Sequence, residues 1–254
     1  MPNGPLEAVF TTVLWDSQMN IADFGRHIAR LNDHASRLRI NLPSDIKQRI
    51  ATQIADYAKD DTEIKLLNIT YRKDDQLIIK TRELPELRFC KLHAMTSPLR
   101  KWLGAVTGTK HGDWQPYLDA KNLAENNGAD LALLIEEYCI VDSDRASIMV
   151  VDDDGIIYVS SSNLSVQGIT QEVVLEYLAN LGMPVSYANL NERLVARSRE
   201  VLALGTGLGC CLVATIDGQQ INDEETVFFN KIQTYLAQHY SNTDNWTDLC
   251  EFLN

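Results

Sequence analysis

The chain has 254 residues, of which 45% are hydrophobic, and its 35 acidic and 23 basic side chains give a formal net charge of −12 at pH 7. This length and composition predict a globular protein with one large domain or two of ordinary size. The acidic balance and the lack of a Lys/Arg-rich run exclude nucleic acid as an expected partner, because phosphodiester backbones need clustered positive charge. An apolar run of about 18 residues and a signal-peptide pattern are both missing, which predicts a soluble cytoplasmic protein with no membrane partner.

The cysteines do not form a pattern that binds metal. There are five of them, an odd number, and only Cys210 and Cys211 lie close together in the sequence. An adjacent pair does not have the spacing of a metal site. The expected state is reduced thiols, mostly buried, with no bound metal ion.

The chain is predicted to begin with a strand and two amphipathic helices. The strand is EAVFTTVLW, residues 7–15, which mixes β-branched and aromatic residues over strand length. Residues 21–40 then place apolar side chains at helical spacing, namely Phe24, Ile28, Leu31, Ala35 and Leu38. After Pro43, Ser44 is expected to cap a second helix with the apolar face Ile46, Ile50, Ile54 and Ala55.

Three strands and a connector follow in the prediction. The strands are expected over residues 62–72, 75–83 and 87–95, with a polar turn at 73–75 between the first two. Residues 96–109 contain a proline, glycines and no clear period, which predicts an interdomain connector. The predicted organisation is therefore a small N-terminal α/β domain over residues 1–95, this connector, and a larger domain over residues 110–254.

Helices and strands alternate from Trp114 onward. Helices are expected over residues 118–126, 170–181 and 224–239, with a short one near residue 192. Strands are expected over residues 129–135, 146–151, 156–160, 184–188, 201–205 and 210–218, with an acidic turn at 152–155. The whole pattern predicts an α+β protein that is mixed α/β in its second half.

Four groups of short segments resemble, in the right order, the signature blocks of one enzyme family. They are FTTVLW with HIARL, GTKHGDWQPYLDAKNLAENNGADLALLI, CIVDSDRASIMVVDDDG, and VQGITQEVV with ALGTGLG. The sequence therefore resembles the class IV aminotransferase family, the fold-type IV enzymes that depend on pyridoxal 5′-phosphate. This family includes branched-chain and D-amino-acid aminotransferases and aminodeoxychorismate lyase.

The first two blocks imply a catalytic lysine and a phosphate ligand. Lys110 stands at the position of the family's Schiff-base lysine, with the lysine expected at a strand end. Its neutral amine would attack the cofactor aldehyde and later move a proton on the substrate. Arg30, in the His-x-x-Arg-Leu motif, is implied to bind the cofactor phosphate, because a guanidinium stays charged and bonds phosphate oxygens in pairs.

The third block implies the residue that bonds the pyridine nitrogen. The family has a glutamate there, which keeps the ring protonated so that it can accept electrons. Asp142 stands at this position and is one methylene shorter, while Asp144 is the alternative in another register. Ser147 stands where the family has an asparagine.

The fourth block implies further phosphate ligands. Gly168, Ile169 and Thr170 would supply backbone N–H groups and a hydroxyl at a helix start, where the helix dipole favours an anion. Thr206 would supply a second hydroxyl from a glycine-rich turn. Gln171 replaces the arginine of the family motif, and Thr170 could instead act as a simple helix cap.

The resemblance implies an enzyme that transfers an amino group between an amino acid and a 2-oxo acid, and it implies a homodimer. An alternative in the same family is aminodeoxychorismate lyase, which forms 4-aminobenzoate and pyruvate; the dipeptide Lys110-His111 is reminiscent of some lyases. An alternative of another class is a non-catalytic protein that binds the cofactor or a partner.

Overall fold

A computed structural model of the chain describes residues 4–57, 63–221 and 226–253. The chain forms two compact units. Unit 1 comprises Met1–Pro85, Gly104–Trp114 and Gln238–Asn254, and unit 2 comprises Glu86–Leu103 and Gln115–Ala237. The predicted domain boundaries at residues 95 and 110 differ from the bounds of these units, and the division into domains stays a prediction.

The elements alternate between strands and helices along most of the chain. Up to residue 136 they are β1 (Ala8–Trp15), β2 (Asn20–Ala22), α1 (Phe24–Arg37), α2 (Ile46–Ala55), β3 (Lys65–Arg72), β4 (Leu77–Arg82), β5 (Lys91–Pro98), α3 (Gln115–Asn126) and β6 (Leu131–Glu136). After it they are β7 (Cys139–Ser143), β8 (Ser147–Asp152), β9 (Ile157–Ser160), α4 (Ile169–Asn180), β10 (Val185–Ala188), β11 (Leu190–Asn191), α5 (Glu192–Ala196), β12 (Ser198–Gly205), β13 (Gly209–Ile216), β14 (Gln219–Gln220), α6 (Val227–Ser241) and β15 (Trp246–Asp248).

Unit 1 is built on a five-stranded antiparallel sheet with the order β15-β2-β1-β3-β4. Strand β1 pairs with β3 along its full length, from Ala8 opposite Arg72 to Trp15 opposite Lys65. Helices α1 and α2 contribute their apolar faces to one cluster of buried side chains with β1 and β3. The predicted face of the first helix is confirmed, since all of its apolar residues are buried.

The second helix differs from its prediction in two details. Its N-cap residue is Asp45 rather than Ser44, and the cap has no side-chain hydrogen bond. Its buried face contains Ala51, whereas Ala55 is exposed. Ala51 is three residues before Ile54 and therefore lies on the same face, whereas Ala55 is the last residue of the helix.

Unit 2 is built on a ten-stranded mixed sheet with the order β10-β9-β8-β12-β13-β5-β6-β7-β11, and β14 pairs with β13. The pairs β10–β9, β13–β5 and β5–β6 are parallel, and the other pairs are antiparallel. Strands β6, β8, β12 and β13 are almost entirely buried. Strands that are buried on both faces have continuous apolar runs in their sequences, which is why these strands could be predicted.

Several elements differ from the sequence prediction. Strand β5 begins only at Lys91 and continues to Pro98, which lies inside the predicted connector. Strand β7 was missed because its buried residues include Asp142 and Ser143. The closing helix begins at Val227 among the described residues, and its predicted start at residue 224 lies outside them.

The five cysteines are free, as expected, but they are not mostly buried. Cys210 and Cys211 are buried, Cys90 and Cys139 are half-buried, and Cys250 is exposed. The C-terminal cysteine lies on a short helical turn at the surface, where no core strand covers it.

The turn from β12 to β13 is held by residues that precede β5. Arg88 Nη1 donates hydrogen bonds to the carbonyl oxygens of Thr206 and Gly207, at 2.7 and 3.0 Å. The Phe89 N–H donates to the Leu208 carbonyl at 3.0 Å. Gly209 has a φ of 66°, and a Cβ atom there would lie 2.4 Å from Phe89 Cε1. Both the backbone angle and the close approach of a ring therefore require glycine at this position.

Replacing Gly209 by Ala is expected to lower the free energy of unfolding by about 3 kcal/mol, since backbone strain and overpacking add. The matched control is Gly128→Ala, because Gly128 has a φ of 76° but no atom of the described residues lies within 4 Å of the place that its Cβ would occupy. The control should lose only about 1 kcal/mol. Urea unfolding of both variants measures the difference, and equal losses would contradict the steric argument.

Candidate functional site

The backbone of Lys110 is held from two sides within unit 1. Its N–H donates to Nδ1 of His34 on α1 at 3.1 Å. Its carbonyl oxygen accepts the N–H of Phe10 on β1 at 3.2 Å. The next residue, His111, forms an isolated antiparallel bridge with Val9. The sequence predicted Lys110 at the end of a strand. It lies instead in an irregular segment that is hydrogen-bonded to β1 and α1.

The Lys110 amine lies over two aromatic rings. Its Nζ atom is 5.1 Å from the ring centroid of Phe10 and 4.7 Å from that of Trp114. These two rings meet edge to face, with centroids 5.0 Å apart and an interplanar angle of 83°. At such distances the faces of the rings attract an ammonium group, which gives this flexible side chain a preferred direction.

Arg30 is oriented by a buried hydroxyl on β1. Arg30 Nη2 donates to Thr11 Oγ1 at 3.0 Å, and the same oxygen is 2.9 Å from His27 Nδ1. Because the hydroxyl accepts from Arg30, its own proton is available to the His27 nitrogen. Thr11 and His27 are both buried. The guanidinium is therefore positioned by a chain of two hydrogen bonds that starts at a fixed ring.

Three histidines beside these cations are kept neutral. The pKa of His27 lies well below its usual value because of burial first and then the charges of Arg30 and Lys110. The same causes lower the pKa of His34 to about 3. Burial lowers the pKa of His111 to about 4. Neutral imidazoles can accept hydrogen bonds, so they can hold their neighbours in place without adding positive charge.

Asp142 lies at the end of β7 in unit 2, where it is buried. Its Oδ1 atom accepts the N–H of Ser143 at 2.9 Å, and its Oδ2 atom accepts the N–H of Val166 at 3.0 Å. The charge of Asp142, after burial, raises the pKa of Tyr117. Hydrogen bonds from two backbone N–H groups, one to each oxygen, fix the plane of the carboxyl group.

Asp144, the alternative residue, has a different environment. Its Oδ1 atom accepts the N–H of Ala132 at 2.9 Å, and its Oδ2 atom pairs with Arg145 Nε at 2.7 Å. Arg145 also donates to the carbonyl of Asp130 at 2.7 Å. Burial raises the pKa of Asp144 against the opposing effect of Arg145. This carboxylate is thus part of an ion pair that ties the start of β6 to the turn after β7.

The start of α4 lies against Ser147 at the beginning of β8. Gly168 is the N-cap residue, with φ −82° and ψ 131°, and it makes no side-chain cap hydrogen bond. A Cβ atom at Gly168 would lie 2.5 Å from Ser147 Oγ. Ile169 and Thr170, the first residues of the helix, are buried. The helix start is therefore a tight backbone corner whose first N–H groups carry the positive end of the helix dipole.

Thr206 lies in the turn after β12, close in register to the α4 corner. Strand β12 pairs with β8 so that Leu204 is opposite Ser147. A Cβ atom at Gly205 would lie 2.8 Å from the carbonyl oxygen of Arg145. Thr206 follows directly, and its carbonyl is bound by Arg88. The turn and the helix start thus flank the same end of β8.

The structure brings the predicted residues together in two groups. In unit 1, the charges of Lys110 and Arg30 both lower the pKa values of His27 and His34, so the four side chains lie in one neighbourhood. In unit 2, Asp142 bonds Val166, two residues before the helix start at Gly168. A separate group of three or more metal-binding side chains is not found among residues 4–57, 63–221 and 226–253.

Sequence reasoning missed Thr11, His27, His34 and Arg88 as residues of this site. The two histidines were visible inside or just after the His-x-x-Arg-Leu motif, at the helical spacing that faces the core. Thr11 lies in the quoted segment FTTVLW and Arg88 lies outside the four blocks; the sequence did not show their contacts, because their partners lie 19 and 118 residues away in the chain.

Gln171, which stands where the family motif has arginine, has a local contact. Its Nε2 atom donates to the carbonyl oxygen of Ile148 on β8 at 3.3 Å. The side chain therefore ties the first turn of α4 to the sheet of unit 2.

The chain belongs to the class IV aminotransferase family, since the model of that family, amino-transferase class IV, matches residues 8–216. No curated protein sequence matches the chain. Among the part of the chain that the structure describes, no helix has the length and apolar character needed to cross a membrane.

Solved structures of several aminotransferases have a similar fold. A branched-chain aminotransferase from the thermophilic archaeon Thermoproteus uzoniensis, with norvaline, has a TM-score of 0.81 at 16% identity, covering 96% of this chain and 90% of that one. A hypothetical aminotransferase from Mycobacterium tuberculosis, in its PLP-bound form, has a TM-score of 0.80 at 15% identity, covering 92% and 89%. A fold IV transaminase from Curtobacterium pusillum has a TM-score of 0.79 at 15% identity, covering 93% and 85%. The expected mixed α/β architecture of the fold-type IV enzymes is thereby confirmed.

The close approach at the start of α4 predicts the outcome of a double-mutant cycle. Gly168→Ala alone is expected to lower the free energy of unfolding by about 1–3 kcal/mol, because the new methyl group overlaps Ser147 Oγ. Ser147→Ala should cost less. The double variant should recover most of the loss, since the remaining Ser147 Cβ would be 3.4 Å away. Urea unfolding measures all of these variants, and additive losses would show that the overlap is not the cause.

The neutral histidines predict that the protein becomes less stable in mild acid. In the unfolded chain a histidine takes up a proton below pH 6.5, whereas His34 does so only near pH 3 and His111 near pH 4 in the folded protein. His27 behaves in the same direction. Each histidine should therefore cost about 1.4 kcal/mol of stability per pH unit as the pH falls below 6.5.

The control for this prediction is His34→Asn, which cannot titrate in this range. Asp144 and Glu200 have the opposite effect on the pH dependence of stability, because burial raises the pKa of both carboxyl groups in the folded protein. Comparing the variant with the natural protein by urea unfolding between pH 7.5 and about pH 4.5 removes their effect. The variant should show a shallower decline, and identical pH dependence would contradict the prediction.

Proposed function

We propose that the chain binds pyridoxal 5′-phosphate and transfers an amino group between an amino acid and a 2-oxo acid, with Lys110 as the catalytic residue. The supporting observation is the fixed backbone of Lys110, whose N–H and carbonyl are both bonded while its amine lies over two rings. A surface lysine needs neither feature. Membership in the class IV aminotransferase family supports the same reaction class, as does the similarity in fold to a branched-chain aminotransferase.

The residues fit the chemical groups of this cofactor. An aldehyde requires an amine, which Lys110 offers. A phosphate dianion requires hydrogen-bond donors and positive charge, which Arg30 and the start of α4 offer. At the corner of Gly168, where a Cβ would overlap Ser147 Oγ, the first N–H groups of α4 are the donors assigned to the phosphate. A protonated pyridine nitrogen requires an ionised carboxylate, which Asp142 offers.

Lys110 is assigned two tasks at its Nζ atom. As a free amine its Nζ would hold the cofactor through the aldehyde group, with loss of water, and when not so bound Nζ would take a proton from the substrate Cα and hold it for return to the reacting atoms. The bound cofactor supplies a ring that accepts the electrons left at Cα. The Phe10 and Trp114 rings restrict where the released amine can go, so that it stays close to the atom it deprotonates.

Asp142 is assigned to the pyridine nitrogen. Its two backbone hydrogen bonds fix its orientation, and a carboxyl oxygen can accept from a ligand as well as from the backbone, because it has more than one lone pair. Asp144 already forms an ion pair with Arg145 and holds the backbone of Ala132. This difference favours Asp142 over the alternative register, although aspartate is shorter than the glutamate of the family motif.

The phosphate is assigned to one arginine and two backbone corners. Arg30 would hold it with a guanidinium that Thr11 orients. Gly168, Ile169 and Thr170 would donate from the first turn of α4, and Thr206 from the turn that Arg88 holds. In this assignment Arg30 contributes one positive charge to the phosphate, and the uncharged N–H groups contribute hydrogen bonds.

The lyase reaction, which would release 4-aminobenzoate and pyruvate, uses the same residues and is the second candidate. His111, the second residue of the Lys-His dipeptide, is buried and bridges Val9. It therefore has a structural task that either reaction would need. A non-catalytic binder is disfavoured by the contacts that fix Lys110, and the homodimer stays a prediction from the family resemblance.

The functional test is Lys110→Ala, with Lys101→Ala as the matched control. Lys101 is exposed and pairs with Glu136. The natural protein and the control should show a visible absorbance band with added pyridoxal phosphate, and borohydride reduction should attach the cofactor to Lys110. The Lys110 variant should lose the band and lose turnover by at least about a thousandfold. A band or near-normal turnover in that variant would remove Lys110 from its assigned role.

The reaction class is decided by the response of the band to substrates. Alanine, glutamate, branched-chain amino acids and aminodeoxychorismate are added in turn. A shift of the band with formation of a 2-oxo acid supports the aminotransferase, and release of 4-aminobenzoate supports the lyase. An unchanged band would indicate a non-catalytic binder.

A further inference from the structure

We propose that His34 is a positioning residue for Lys110, because its ring accepts the Lys110 N–H and fixes the backbone from which the amine projects. This inference deepens the proposed function and rests on it. The Lys110 N–H to His34 Nδ1 distance is 3.1 Å. His34 lies on the third turn of α1, on the same buried face as Ile28 and Leu31.

The hydrogen bond requires one tautomer of the ring. A backbone N–H can only donate, so Nδ1 must be unprotonated and the proton of the neutral ring must be on Nε2. His34 is surrounded by Arg30, Arg37, Lys110 and His111, which oppose a second proton on it. Burial and these charges hold its pKa near 3, so the acceptor persists at any ordinary working pH.

The peptide of Lys110 depends on this acceptor. Its N–H is turned toward α1, while its carbonyl is bonded to Phe10 on β1. The preceding residue, Thr109, bonds back to the carbonyl of Val106 through both its N–H and its hydroxyl. The turn before Lys110 is thus closed on itself, and His34 is the contact that ties the lysine to the helix carrying Arg30.

The functional consequence follows from the length of the lysine side chain. Its amine is linked to the backbone by four flexible carbon atoms, so a small movement of the backbone moves the region that Nζ can reach. Misplacement by about 1 Å can cost up to about a hundredfold in rate. Phe10 and Trp114 restrict the amine, but only when the Lys110 backbone is in place.

The test uses two substitutions of His34 and a control on the same helix. His34→Asn keeps an acceptor oxygen at the δ position, whereas His34→Leu keeps bulk and removes the acceptor. The control is Ile28→Val, a buried apolar position on the same face of α1 that packs in the hydrophobic core of unit 1. It reproduces a loss of packing without touching the hydrogen bond.

The first readouts use the protein without cofactor. Nitrogen NMR of labelled histidine should show His34 as the neutral Nε2–H tautomer. The Lys110 amide should exchange with solvent at least about tenfold faster in His34→Leu than in His34→Asn or Ile28→Val. Another tautomer, or equal exchange in all variants, would overturn the hydrogen bond and with it the proposal.

The second readouts use the protein with pyridoxal phosphate. His34→Leu should form the visible band about tenfold more slowly and have about tenfold lower kcat, with little change in the KM for the amino acid. His34→Asn should stay within about twofold of the natural protein, as should Ile28→Val. A merely structural role would instead lower the melting temperature of His34→Leu and Ile28→Val alike without separating kcat from KM.

The two hypotheses fail in different ways. A natural protein that forms no band with pyridoxal phosphate overturns the proposed function. A natural protein that forms the band while His34→Leu behaves like Ile28→Val overturns the positioning role alone.

Discussion

The chemistry of unit 1 depends on one constraint, which is that the peptide of Lys110 is bonded at both its N–H and its carbonyl. A long, flexible amine is useful in catalysis only if its base is fixed, because entropy otherwise spreads it over many positions. The structure fixes it between a neutral imidazole on α1 and the backbone of β1. Phe10 and Trp114 then direct the amine itself.

Neutral histidines make this arrangement compatible with the surrounding charge. Arg30 and Lys110 both lie close enough to His27 and His34 to depress their pKa values, and burial depresses them further. A lysine or arginine in place of either ring would add another cation to the cluster, and a carboxylate would cancel part of its positive charge. Imidazole held neutral by its environment orients its neighbours and leaves their charge intact.

In unit 2 the constraint is the close approach of side chains to two glycines. The corner at Gly168 and the turn that ends at Gly209 both leave no room for a Cβ atom, against the Ser147 hydroxyl and the Phe89 ring respectively. Only glycine allows the main chain to pack this closely against its neighbours. The main chain also fixes Asp142, because its carboxyl group accepts hydrogen bonds from two backbone N–H groups.

The sequence alone determined the family, the mixed α/β class and most of the helices and strands. These depend on motif spacing and on the periodicity of apolar residues, both of which can be read along the chain. It could nominate Lys110, Arg30 and Asp142 by their motif positions. Only the tertiary structure decided what holds them, since His34 and Thr11, the partners of the first two, lie 76 and 19 residues away from them in the chain. A hydrogen bond between residues far apart in the chain is created by packing, and packing cannot be read from neighbours along the chain.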